Sequence, residues 1–201
     1  MATSLAFARV APIPTHRTAL AGGLAFLEGS ASPAWGADDL RAWFTEHLIA
    51  PGCMATPLLV TEPSAGTVAF DTALPASART LRLILVAARS RVLTALRDLT
   101  ASPSDDRFLM GSIFAGRVSR ERVQGSAGWV AHPEPTAPLS GIVLSLFAVD
   151  ALSHRELYSD PASVCDTCHR LTFHEGGRRG CPEHPAHVSG VFPKVDGGER
   201  A

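Results

Sequence analysis

Leu40, Trp43, Phe44, His47 and Leu48 recur at intervals of three and four, which puts them on one face of a helix from Asp39 to about Ala50. Asp38 or Asp39 stands where a cap is needed, and Pro51-Gly52 follows as a stop. A longer pattern begins at Ala76. From there to Ala101 there is neither Gly nor Pro; Leu81, Leu85, Val92, Leu96 and Leu99 share one helical face, with Arg79, Arg82, Arg89 and Arg97 beside it. This predicts a long amphipathic helix ended by Pro103. The alternative is a buried strand over 81–86 leading into a shorter helix, since a dense apolar run fits both.

Shorter apolar runs bounded by turn residues predict strands. Residues 3–10 alternate well enough for an opening strand that Pro12 and Pro14 end. Residues 58–60 and 67–70 flank Pro63-Ser-Ala-Gly66 and predict a hairpin. Further strands are expected over 108–114, 128–131 and 142–149, separated by the Gly125-Ser-Ala-Gly128 and Pro133-Glu-Pro135 turns. Strands and helices are interspersed without a regular βαβ cycle, so the expected class is α+β, an antiparallel sheet with at least two helices. Residues 1–160 form the expected body, 161–188 a small zinc-binding hairpin, and 189–201 a flexible tail.

With 201 residues, 46% of them hydrophobic, the chain can bury one substantial core. Its formal charge of −1 gives no electrostatic reason to expect nucleic acid or an anionic membrane as partner. Lys194 is the single lysine. A P-loop, a protein kinase and a pyridoxal enzyme each need a lysine in the site, so these classes are disfavoured. Arginine in place of lysine, with abundant alanine, points to a GC-rich bacterial genome. No apolar run is long enough to span a bilayer. The patch from Ala19 to Leu27 makes a poor secretory signal, because basic residues are sparse before it and Glu28 follows closely. The expected location is therefore the cytoplasm, where thiols stay reduced and open to metal.

Three of the four cysteines lie together, as Cys165-Asp-Thr-Cys168 and, twelve residues on, Cys181-Pro-Glu-His184. Two close pairs of soft donors supply the tetrahedral set that Zn²⁺ prefers, with Cys165, Cys168, Cys181 and His184 as the expected ligands. His187 is the substitute for His184, while His169 and His174 are expected to face solvent. The segment 164–188 resembles the short zinc-ribbon and zinc-knuckle modules. That resemblance implies a hairpin over 169–180 bringing the two pairs together around a structural ion, and implies nothing about the body. Disulfide or redox thiols are the reading without metal. Cys165-Asp-Thr-Cys168-His169 also spells the C-x-x-C-H attachment string of c-type haem, although haem would leave Cys181 and His184 without a role.

Elsewhere the chemistry is sparse. Ser126, in Gln124-Gly-Ser-Ala-Gly128, misses the G-x-S-x-G elbow because Gln124 stands where the first glycine belongs. His47 reads as a core histidine and Cys53 as a small buried side chain. His132, His154 and Asp150 are the candidates for a hydrolase or nuclease site on the body. The arginine stripe is ordinarily solvated charge, yet its planar forks also suit carboxylates or phosphates. The leading expectation is a non-enzymatic adaptor or regulatory protein that binds another protein, with homodimerisation open. A hydrolase or nuclease, a nucleic-acid-binding regulator and a haem protein are the alternatives.

Overall fold

The computed structural model describes residues 16–55, 57–70, 77–101, 104–123, 126–159, 162–173, 181, 183 and 184. In chain order the elements are α1 (His16–Gly29), α2 (Ala37–Phe44) with a π-helical turn (Thr45–Ile49), β1 (Leu59–Glu62), β2 (Gly66–Ala69) and α3 (Ala78–Thr100). Then come α4 (Arg107–Phe114), β3 (Val118–Val123), β4 (Ser126–Ala131), α5 (Leu139–Ser153), α6 (Arg155–Ser159), β5 (Ala162–Val164) and β6 (Leu171–Phe173). The class is α+β, as the pattern predicts. Among the described residues the strands form three separate antiparallel hairpins, β1–β2, β3–β4 and β5–β6, instead of one continuous sheet.

The predicted helix from Asp39 is α2, which starts two residues earlier: Gly36, and neither aspartate, is the N-cap, and Asp39 in the first turn reaches back with its carboxylate to accept the Gly36 N–H at 2.8 Å. The long amphipathic helix is α3, capped by Ser77, and its predicted face is buried from Leu81 to Leu99. The expected hairpin of 58–60 and 67–70 is β1–β2, in the register Leu59↔Ala69 to Glu62↔Gly66. The strand expected over 128–131 falls within β4. The expected opening strand, residues 3–10, lies outside the described residues.

Two strand expectations are corrected. Residues 108–114 are helical, as α4: Asp105, one residue before the N-cap Asp106, accepts the Arg107 N–H at 2.9 Å in a local turn that leads into the helix, which buries Leu109 and Ser112 one turn apart. Residues 142–149 belong to α5. This helix is apolar all round because it is buried all round, so it carries no periodic signature. α1, α3, α4, β1 and β4 all pack on it, and Leu139, Val143, Leu146, Phe147 and Ala148 are fully enclosed.

Close approach of α1 to α5 depends on Gly23. A Cβ there would lie 2.7 Å from two atoms of the Phe147 ring, which is itself completely buried. Alanine gains roughly 1 kcal/mol of helix propensity, but overpacking a closed core costs about 1–3 kcal/mol. Gly23→Ala is therefore expected to lower the urea midpoint. An unchanged or higher midpoint would show that the two helices separate without cost.

Candidate metal centre

β5 and β6 pair in the register Ala162↔Phe173, Ser163↔Thr172 and Val164↔Leu171, so the first cysteine pair occupies the turn between them. The Cys165 N–H donates to the Arg170 carbonyl at 3.0 Å, and the His169 N–H donates to the Cys165 carbonyl at 2.9 Å. His169 completes the turn with φ of +56°, a left-handed conformation that histidine adopts more readily than most residues. Ala162, Val164 and Leu171 join the main core, and the rings of Tyr158 and Phe173 meet edge to face at 5.4 Å. A second tight turn closes where the His184 N–H donates to the Cys181 carbonyl at 3.0 Å. Of the hairpin expected over 169–180, residues 174–180 lie outside the described residues.

These two turns bring the four expected side chains together, every donor atom within 4.8 Å of every other. Cys168 Sγ lies 3.6 Å from Cys181 Sγ, and His184 Nδ1 lies 3.6 Å from Cys181 Sγ and 3.8 Å from Cys165 Sγ. A tetrahedron built on Zn–S bonds of ~2.3 Å and a Zn–N bond of ~2.0–2.1 Å has S···S edges of about 3.8 Å and S···N edges of about 3.6 Å. Three of the six edges of the cluster thus have the length of a zinc tetrahedron's, and the other three are no longer than 4.8 Å. The cluster is too open for a disulfide, whose sulfurs sit about 2.05 Å apart, and all four cysteines of the chain are free.

Local electrostatics favour thiolate at one corner. The Cys168 and Thr167 backbone amides point at the Cys165 sulfur and lower its pKa to about 6, against the opposing effect of burial. At Cys168 burial is the largest influence and the pKa is raised. The turns are also tied to each other and to the body. Arg170 pairs with Glu183 at 2.5 Å, linking the first turn to the second. From α3, Arg97 bonds the ring Nδ1 of His169 at 2.8 Å and lies 3.4 Å from the Asp166 carboxylate. His169 was expected to face solvent. Instead it is half-buried, with its ring on Arg97 of α3, and it is not among the clustered donors.

The other candidates occupy separate local settings. His132 Nε2 lies 2.7 Å from Glu121 across the β3–β4 hairpin, and Ser119 donates to the same carboxylate. Asp150 is buried in α5 and accepts the Tyr158 hydroxyl at 2.7 Å. Burial and that neighbouring charge push the tyrosine pKa upward. His154 ends α5 with Nδ1 3.5 Å from Glu156. Among the described residues, the Cys/His quartet is the one grouping of three or more His, Cys, Asp or Glu donors close enough to hold an ion. Ser126 begins β4, opposite Val123. His47 is half-buried against Trp43, and Cys53 is half-buried with its thiol pushed up to about 11 by desolvation. His174, His187 and Lys194 lie outside the described residues.

Three of the four stripe arginines have partners within the chain. Arg82 donates to the Ser30 and Ser32 carbonyls, Arg89 to that of Leu27, and Arg97 reaches the knuckle. The carbonyls belong to the last turn of α1 and the segment just after it, the negative end of that helix, where cations are favoured. Serine carbonyls far away in sequence give no local signal of this role. Comparison of the chain with protein families, curated proteins and solved structures finds no match to any of them.

Proposed function

We propose that this chain is a non-enzymatic intracellular adaptor or regulatory protein whose C-terminal knuckle is held by a structural Zn²⁺ ion on Cys165, Cys168, Cys181 and His184. The observation that carries the reading is the gathering of three thiols and an imidazole within 4.8 Å of one another, with three of the six edges at the 3.6–3.8 Å of a zinc tetrahedron. Three thiolates and an imidazole select zinc over the hard cations that prefer oxygen. Four protein ligands fill the coordination sphere and leave no place for substrate, so the ion braces structure. Its work is to hold two short turns against each other and against α3, which a hairpin of this size cannot do with apolar contacts alone.

Reduced thiols in this role suit a cytoplasmic setting. Action through a protein partner, or a second copy of the chain, is supported by α4. There Met110 and Phe114 stand one turn apart, with Phe114 81% exposed.

Elemental analysis of the purified chain is expected to return one zinc per chain. Exchange with Co²⁺ should give the visible absorption of a tetrahedral, thiolate-rich site. Purification without chelator that yields no stoichiometric metal would refute the reading, as would an octahedral Co²⁺ spectrum.

A further inference from the structure

The bonds that Arg82, Arg89 and Arg97 make at their edges leave the three guanidinium groups lining one hollow of about 360 Å³, between the end of α1, α3 and the His169 turn. Ser30, Ser90 and His169 complete its polar lining, and no carboxylate is among its walls. Like charges this close repel: together with burial, Arg82 and Arg97 lower the pKa of Arg89. The α1 dipole offsets about half a charge, and Asp166 offsets part of that on Arg97. The hollow thus stays strongly positive. Among the described residues Arg89 donates only to Leu27, through Nε, which leaves the two terminal nitrogens of its fork for a ligand.

A second hollow of about 580 Å³ shares Ala31, Arg89 and His169 with the first and adds Leu24, Leu27 and Leu171, with Glu28, Cys168 and Arg170 also in its walls, so that the Glu28 carboxylate there offsets the charge of Arg170. Volumes of this order suit small organic ligands. We propose that the double hollow binds an organic phosphate, its phosphoryl oxygens on the terminal nitrogens of Arg89, with the charges of Arg82 and Arg97 flanking them along α3, and its apolar body against Leu24, Leu27 and Leu171. The planar fork of Arg89 matches two oxygens of a phosphoryl group, and the second charge of a phosphoryl dianion answers the excess left by Arg82 and Arg97 better than the single charge of a carboxylate does. Because His169 and Leu171 form one wall, the site spans the seam between knuckle and body.

The test is calorimetric titration of the zinc-loaded chain at low ionic strength with phenyl phosphate, inorganic phosphate and benzoate. Phenyl phosphate is expected to bind about 10-fold or more tighter than either of the others, since each lacks one half of the recognition. Arg89→Gln should weaken it by about 10-fold or more. Because that variant also loses a bond to α1, Ser90→Asp serves as the second: it breaks none of the arginine contacts and sets a carboxylate at the rim of the hollow. Metal content is measured in every sample, so a failed zinc site is distinguished from a failed anion site. Sedimentation with phosphatidic-acid vesicles, competed by phenyl phosphate, would identify a lipid headgroup as the natural source, and its absence a soluble ester. No binding of phenyl phosphate, equal binding of benzoate, or wild-type affinity in Ser90→Asp would each overturn the proposal.

Discussion

Cys181→Ser is expected to lose its metal and to loosen the knuckle while the helical core stays folded. Structural zinc contributes on the order of 10–16 kcal/mol in isolated finger peptides near neutral pH. Removing even an outer-shell partner typically weakens metal affinity by about 10–100-fold, so exchanging a ligating thiolate for a neutral hydroxyl should exceed that. The same holds for Cys165→Ser. Hydrogen exchange in residues 162–173 should accelerate in both variants, because β5 and β6 share only three residue pairs. Protection in α3 and α5 should persist, since α5 is packed mainly by α1, α3, α4 and β4, none of which belongs to the knuckle. Elemental analysis with exchange mass spectrometry checks both halves. Full zinc occupancy in the two variants would sink the ligand assignment, and collapse of α5 protection would sink the separation of knuckle from core.

Glu62→Ala is expected to destabilise the body by roughly 3 kcal/mol, from a cap on α5 worth about 1–2 kcal/mol and a stranded buried donor worth about 1–3 kcal/mol. Glu62 ends β1 with its side chain fully enclosed. One carboxylate oxygen accepts the Ser140 backbone N–H at 2.9 Å; the other accepts the Ser140 hydroxyl at 2.9 Å and lies 3.1 Å from Arg91 Nε. Pro138, at the N-cap position of α5, makes no side-chain cap bond, so a strand distant in sequence supplies the missing acceptor. Thr61 bridges Pro138 beside it and sets the approach. Arg91 is half-exposed and can rehydrate, which keeps the loss below that of a fully buried ion pair. At about 2–4 °C per kcal/mol for a chain of this size, the melting temperature should fall by roughly 6–12 °C. Glu62→Gln, which keeps an acceptor but also presents an N–H to donors, should fall between wild type and alanine. A drop under about 0.5 kcal/mol for alanine, the range of ordinary surface changes, would remove the cap from the account.

Legibility of the site and of the fold divides along the same line. The quartet was readable because Cys-x-x-C and Cys-x-x-His fix two ligands apiece within tight turns, so only the meeting of the pairs was left to the fold. His169 was misread as solvent-facing because its partner, Arg97, is 72 residues away. The arginine stripe was readable as a stripe. That two of its members hold the end of α1 was not, since the acceptors are backbone carbonyls, which any residue supplies. For α4, the signal was present in Asp105 and Asp106, and the apolar run after them outweighed it.

What the residues determined by themselves is local: the amphipathic faces of α2 and α3, the β1–β2 turn, and the soft donors spaced for a metal. These follow from periods of 3.6 and 2 and from tight-turn chemistry, which act over a few neighbours. Only the tertiary structure decided that 142–149 is a helix, because a segment buried on every side has no polar face to mark its period. It alone supplied that helix with a cap from Glu62, set Gly23 against Phe147, and turned charged side chains of α3 into supports for the end of α1 and for the knuckle. Each of those depends on groups far apart in the chain, whose interaction energy exists only once the core has brought them into contact.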